Sequence, residues 1–271
     1  MIRSPLMNVM QAAALKAGKG LRKDFSEIAS LTISRKRPGD FVSEADKRAE
    51  ATLYQELSKA RPGYGFLMEE GGEIAGSDKT HRFIIDPLDG TTNFLHAIPH
   101  FAISIGVERE GEMVAGLIYN PMSEEMFLAE KGQGAFATGP AARDNMRLRV
   151  AQRTELVEAL IGCGIPFIKH GDSNLFLREL AQIMPRVAGI RRMGAAALDL
   201  AYVAAGRLDA FWERALSPWD MAAGIVIIKE AGGFVSAVDG TGDIFGTRSI
   251  LAGNEAMHTL LKARLAEAAQ G

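Results

Sequence analysis

Two aspartates three residues apart, Asp86 and Asp89, stand in the string Phe83-Ile84-Ile85-Asp86-Pro87-Leu88-Asp89-Gly90-Thr91-Thr92-Asn93-Phe94. The apolar run before Asp86 predicts a strand ending there. Pro87 disfavours the helical conformation at Asp86, so the chain should leave that strand at a corner. Carboxylates held so close repel each other unless a cation lies between them, and hard divalent ions with oxygen ligands meet that need. If Gly90-Thr91-Thr92 open a helix, their amides face an anion such as phosphate. Metal and phosphate are thus the chemistry these residues suggest, although an Asp/Pro/Gly turn without chemistry uses the same vocabulary.

Further acids lie at similar places. Glu69-Glu70 follow the short apolar stretch Gly65-Phe66-Leu67-Met68, an arrangement that a solvated loop also presents. In Ser217-Pro218-Trp219-Asp220, Ser217 suits a helix N-cap, Pro218 the first helical residue and Asp220 the reciprocal capping acid. A capping role accounts for Asp220 without any metal. His96 and His100 flank the central string without a zinc-like spacing and read as supporting or structural residues. Cys163 reads as a small apolar packing residue.

The elements that must carry these residues follow from hydrophobic period and punctuation. Residues 4–18 predict an amphipathic helix. Residues 31–42 predict a strand and turn with Lys36 to Asp40 at the tip, followed by a helix with Ala45, Ala49, Leu53 and Leu57 on one stripe. Residues 74–80 read as a surface loop. Phe101–Val107, Met113–Tyr119 and Glu125–Ala129 predict antiparallel strands, and Gly132 to Phe136 continues the meander. The polar patch Gly139 to Arg147 is the best boundary available. Beyond it, strands are expected at Leu156–Gly162, Leu208–Glu213 and Ile250–Ala252. Helices are expected at Ser173–Met184, at Ala196–Ala205 closed by Gly206, from Ser217-Pro218 to Ala231, and from Asn254 onward. The outcome is a mixed α/β fold without a regular βαβ repeat.

Composition narrows the function classes. The 271 residues carry a net charge of −2, which gives no basic footprint for nucleic acid. Hydrophobic and charged contents of 47% and 24% are those of a globular protein. A single cysteine excludes an intrachain disulfide. No signal-peptide pattern and no membrane-length apolar run is present, so a cytoplasmic protein with no membrane partner is expected. Neither a P-loop nor a GxGxxG string occurs, which argues against a kinase or a dehydrogenase.

Taken together, the D-P-L-D-G-T-T-N-F string, the Glu69-Glu70 pair before it and the W-D-M-A-A-G element at Trp219 to Gly224 resemble the inositol monophosphatase family. Within it the chain is most similar to the bacterial extragenic suppressor branch, through Lys36-Arg37-Pro38-Gly39-Asp40-Phe41-Val42 and Ala196 to Arg207. The resemblance implies a layered α/β/α/β/α sandwich forming one domain over residues 1–271, with closely packed halves near 1–145 and 146–271. It implies hydrolysis of a small phosphorylated polyol, inositol monophosphate first, by water attack with two or three Mg²⁺ ions and sensitivity to lithium. By the same match Glu69, Asp86, the Leu88 carbonyl, Asp89 and Asp220 hold metal, Asp86 bridges two ions, and Thr91 with Glu69 orients the attacking water. Asp89, Gly90, Thr91, Gly194, Ala195, Ala196, Glu213 and Asp220 contact substrate. Many relatives have a hydroxyl where Ala195 stands, so one contact is missing. Lys36, Asp40, Glu44 and Asp46 match a loop that closes the site and shapes a third metal position, though Asp46 equally suits a capping box begun by Ser43. A homodimer is also implied. The alternatives are fructose bisphosphate or a nucleotide 3′-phosphate as substrate, or a regulatory role in transcription or RNA processing through a protein partner, with Arg191-Arg192 and the following helix as its face.

Overall fold

Residues Met221 to Ile228 are apolar on every side and all buried, so the helix they form has to be covered on both faces. In the computed structural model that cover is supplied by two mixed sheets. The structure describes residues 4–28, 33–37, 40–140, 142–167 and 170–270, and of residues 33–37, 40–43 and 142–144 the backbone alone. The chain runs α1 (Pro5–Ser26), β1 (Ile33–Arg37), β2 (Asp40–Ser43), α2 (Glu44–Ala60), β3 (Gly65–Met68), β4 (Gly72–Ile74), β5 (His81–Asp89), α3 (Thr91–Leu95), β6 (Ala102–Arg109), β7 (Glu112–Asn120), β8 (Glu125–Glu130), β9 (Gly134–Gly139) and β10 (Ala142–Arg147). It continues with β11 (Leu160–Cys163), α4 (Ser173–Ile183), β12 (Gly189–Arg191), α5 (Ala196–Ala204), β13 (Ala210–Arg214), α6 (Pro218–Glu230), β14 (Phe234–Ser236), α7 (Ile244–Thr247), β15 (Ser249–Gly253) and α8 (Glu255–Gln270).

The first sheet has the order β10-β9-β8-β7-β6-β5-β3-β4 and the second β12-β11-β13-β15-β14; β1 and β2 form a separate hairpin. Helices α1 and α2 pack on the outer face of the first sheet, α5 and α6 fill the space between the sheets, and α4 and α8 pair at the outer face of the second. The five layers expected from the sequence are therefore present. The middle core draws Ala102, Ile118 and Phe127 from the first sheet and Phe211, Ile250 and Ala252 from the second onto the same two helices. At Gly116 on β7, a Cβ would lie 2.4 Å from the Ala223 carbonyl oxygen, so the missing side chain is what lets α6 rest directly on the sheet.

Three expectations need correction. The strand expected to end at Asp86 continues to Asp89, because β5 absorbs one extra residue: Asp86 pairs with Ser104 and Asp89 with Ala102. Residues three apart on a regular strand face opposite sides, and the bulge cancels that odd step. Pro87 sits within it, where a lost ladder N–H is tolerated. The polar patch at 139–147, where no strand was expected, contains β10, which pairs with β9 as an edge strand, where polar residues are at home. Leu156–Gly162 divides into a single 3₁₀ turn, Leu156–Glu158, and the strand β11.

Candidate active site

Five elements deliver acids to one cavity of about 400 Å³. Its lining includes Glu69, Asp86, Leu88, Asp89, Gly90 and Thr91 from the first half, and Cys163, Arg192, Gly194, Ala195, Ala196, Asp199, Glu213 and Asp220 from the second. Glu69 extends β3, its N–H donating to the Ile85 carbonyl at 3.3 Å. Gly90 turns the chain from β5 into α3 with φ of 91°, a conformation that glycine adopts without Cβ strain.

Three of the aspartates are fixed in the same manner, each with one oxygen on a backbone N–H. Asp86 Oδ1 accepts from Leu88 N at 2.9 Å. Asp89 Oδ2 accepts from Ala197 N at 2.8 Å and thereby caps α5, whose own N-cap residue, Ala195, has no side-chain acceptor. Asp220 Oδ2 accepts from Ser217 N at 2.7 Å, completing the capping box anticipated for α6. The capping and cavity-lining readings of Asp220 thus hold together.

Burial, reinforced by Glu69, Asp89 and Asp220, pushes the Asp86 carboxyl well above the usual carboxylate range. Burial raises Asp89 to about 7 against the pull of its backbone donors, and burial with Asp89 nearby raises Asp220 to about 8. Asp86 and Asp220 both line this cavity. No described Lys, Arg or His forms an ion pair with Asp86, Asp89 or Asp220.

Among the described residues no group of three or more His, Cys, Asp or Glu is set out as a finished metal cage. The donor chemistry nevertheless fits a hard divalent cation: only oxygen is offered, and each fixed aspartate keeps a second oxygen off the backbone.

The structure also brings in residues whose part the sequence did not reveal. Asp46, fully buried, accepts from Thr91 Oγ1 at 3.1 Å, while the Leu88 carbonyl is the same distance from that hydroxyl. The capping partner proposed for Asp46, the Ser43 side chain, lies outside the described residues, as do the side chains of Lys36 and Asp40. Glu44 pairs with Lys47 on the helix surface and does not line the cavity. Asn93 Nδ2 donates to the carbonyls of His100 at 2.8 Å and Met193 at 2.9 Å, clipping the 193–194 turn onto the central motif. Its place inside the motif was the signal available. His96 is exposed and terminates α3, and His100 contributes that carbonyl.

Of the docking face suggested by the sequence, Arg191 and Arg192 are exposed but the next helix is not. Helix α5 is buried between the sheets nearly throughout, and Arg192 belongs to the cavity wall. Cys163 is buried, and burial with Glu213 and Asp199 nearby pushes its thiol up to about 12. At pH 8 its thiolate fraction is then on the order of 10⁻⁴, against roughly a quarter for an ordinary cysteine. Iodoacetamide at pH 8 should leave the native protein unlabelled and modify one site only after denaturation, as intact mass will show.

Two mixed sheets around a helical layer thus carry an acid-lined cavity where strand ends and helix starts meet. A model of the inositol monophosphatase family matches residues 3–270. The inositol-1-monophosphatase of Mesorhizobium japonicum is 56% identical over 264 residues, covering 97% of each chain. The Nus factor SuhB of Pseudomonas aeruginosa is 42% identical over 254 residues, covering 92% of each. The crystal structure of extragenic suppressor protein suhB from Bartonella henselae matches with a TM-score of 0.93 at 53% identity, covering 97% of this chain and 98% of that one. The chain belongs to the inositol monophosphatase family and is a phosphoric monoester hydrolase, as the resemblance in its motifs implied.

Proposed function

We propose that the chain hydrolyses inositol 1-phosphate to inositol and phosphate with Mg²⁺ as cofactor. The observation that carries this reading is the cavity itself, with Glu69, Asp86, Asp89 and Asp220 lining it beside Glu213. Glu69, Asp86, the Leu88 carbonyl, Asp89 and Asp220 would hold two or three ions. When bound, such ions make a water acidic enough to attack at neutral pH and offset charge on the leaving oxygen.

The protein's own share is orientation. The Thr91 hydroxyl has one hydrogen, and Asp46 and the Leu88 carbonyl both compete to accept it. With that hydrogen committed, its lone pairs can only accept, so a water between Thr91 and Glu69 is turned with its own lone pair toward phosphorus. Gly90 and Thr91 would border the phosphate, and Gly194, Ala195, Ala196 and Glu213 the alcohol. Lys36 and Asp40 are proposed to close the site from the β1–β2 hairpin. The helical layer shared by both sheets supports reading residues 1–271 as one domain. A homodimer in the cytoplasm, and a partner in transcription as the Nus factor name of the Pseudomonas relative suggests, belong to the same proposal. No helix among the described residues is long and apolar enough to cross a membrane.

Phosphate release from inositol 1-phosphate, fructose 1,6-bisphosphate and a nucleotide 3′-phosphate, measured with Mg²⁺, with EDTA and with lithium, tests the assignment. The expected result is the highest kcat/KM for inositol 1-phosphate, loss of all turnover in EDTA, and inhibition by millimolar lithium. A higher kcat/KM for either other ester would transfer the assignment to it.

A further inference from the structure

The cavity has two chemically different ends. Asp86 is perturbed by Glu69, Asp89 and Asp220, the acids grouped around the bulge in β5. Glu213 is perturbed by Asp220, Asp199 and Asp89 and is relieved by Arg192; Cys163 feels Glu213 and Asp199. The first half supplies Glu69, Asp86 and Asp89 to this cavity and the second supplies Asp199, Glu213, Asp220, Cys163 and Arg192, with Glu213 lying against Gly164 beside Cys163. The proposed function uses Glu213 there and leaves Asp199 without a task.

Asp199 is not explained by the fold. It sits in the first turn of α5, is 2% exposed, and lines the cavity. Its Oδ1 is buried and accepts no hydrogen bond from any described residue. A buried acceptor without a donor costs about 1–3 kcal/mol, so a purely structural residue here would be better replaced by an apolar one. Helix capping does not require it either, because Asp89 already serves the α5 N-terminus. The group closest to answering it is the Arg192 guanidinium, which acts on it electrostatically but forms no ion pair with it among the described residues.

We propose that Asp199 is a hydroxyl-recognition residue: its unpartnered carboxyl oxygen accepts a hydrogen bond from a polyol hydroxyl on the alcohol side of the substrate. This deepens the proposed function and rests on its placement of the alcohol beside Glu213. With Ala195 lacking a hydroxyl, Asp199 and Glu213 are the acceptors this wall offers, and together they select alcohols carrying several hydroxyl groups. An ester whose alcohol has no free hydroxyl gains nothing from Asp199.

The test compares Asp199→Leu and Asp199→Asn on inositol 1-phosphate, glycerol 2-phosphate and p-nitrophenyl phosphate. Leucine keeps the branching at Cγ and removes the acceptor, whereas asparagine keeps both the shape and an acceptor. Expected for Asp199→Leu is a five- to tenfold rise in KM for the two polyol esters with kcat little changed, and a KM for p-nitrophenyl phosphate within about twofold of wild type, consistent with one hydrogen bond. Asp199→Asn should restore most of the loss. Equal changes on all three esters, or no change on any, would overturn the role of Asp199 and leave the proposed activity standing. Wild-type enzyme that cleaves glycerol 2-phosphate but not inositol 1-phosphate would instead overturn the substrate assignment, and Asp199 would then be judged on the glycerol ester. If Asp199→Leu fails to fold, Asp199→Ala, which also removes the acceptor, carries the same comparison, with parallel changes on all three esters or none on any counting against the proposal.

Discussion

Asp220→Asn is expected to lower kcat with inositol 1-phosphate by a hundredfold or more while leaving α6 in place. Asparagine still offers an oxygen to Ser217 N–H, so the 2.7 Å cap can survive and only the charge is lost. Loss of a charged ligand removes several kcal/mol of transition-state stabilisation. Asp89→Asn should behave alike, since its 2.8 Å bond to Ala197 N needs only an acceptor. Turnover near wild type in Asp220→Asn would mean that the residue is a helix cap and nothing more.

The same substitution should have the opposite sign on stability without metal. Burial raises Asp220 from its ordinary value to about 8, so between about pH 4 and 8 the native state binds more protons than the unfolded one. Stability then falls as pH rises through that window, the reverse of the behaviour of a salt-bridged aspartate. In EDTA at pH 8, Asp220→Asn should melt above wild type, and the difference should shrink toward pH 5. A thermal denaturation series at both pH values checks this. The gain would resemble the exchange of stability for function known at charged sites.

Gly116→Ala should damage the middle of the fold, where α6 rests on the first sheet. Its Cβ would stand 2.4 Å from the Ala223 carbonyl oxygen and 3.0 Å from the Ala223 Cα, both backbone atoms that no side-chain rotation can move. Overpacking costs 1–3 kcal/mol where side chains can yield; against backbone, about 2–4 kcal/mol is expected. That corresponds to a fall in Tm of roughly 5–10 °C for a chain of this size. Because α6 carries Asp220 in its first turn, kcat should fall as well. Gly242→Ala is the control: a Cβ there meets nothing within 4 Å, so its Tm should stay near wild type. Equal melting of the two variants would show that α6 does not lie where the sheet holds it.

Much of this arrangement was legible in the sequence. The apolar runs marked the long strands of the first sheet and β11, β13 and β15 of the second, though not the three-residue strands β4, β12 and β14; Ser217-Pro218 and Gly206 marked helix limits, and the motif residues Glu69, Asp86, Asp89 and Asp220 meet in one cavity. What escaped was set by long-range pairing. An extra residue in β5 shows only against its partner β6, so Asp86 and Asp89 read as a corner between strand and turn. The polar strand β10 has no hydrophobic period of its own and exists because β9 offers it an edge. Asp46 reaches Thr91 across 45 positions, and Asp199 stands in the cavity wall only because α5 begins there. Local patterns cannot announce contacts that depend on two distant segments folding together.

The aspartates that anchor α5 and α6 also limit how this scaffold can diversify. An exchange at Asp89 or Asp220 touches the start of a core helix as well as the chemistry, so drift at either position meets two filters at once. The wall made by Arg192, Ala195 and Glu213 begins no helix with its side chains and can change at smaller structural cost. New substrates should therefore be acquired from the alcohol end of the cavity, with the phosphate end inherited unchanged.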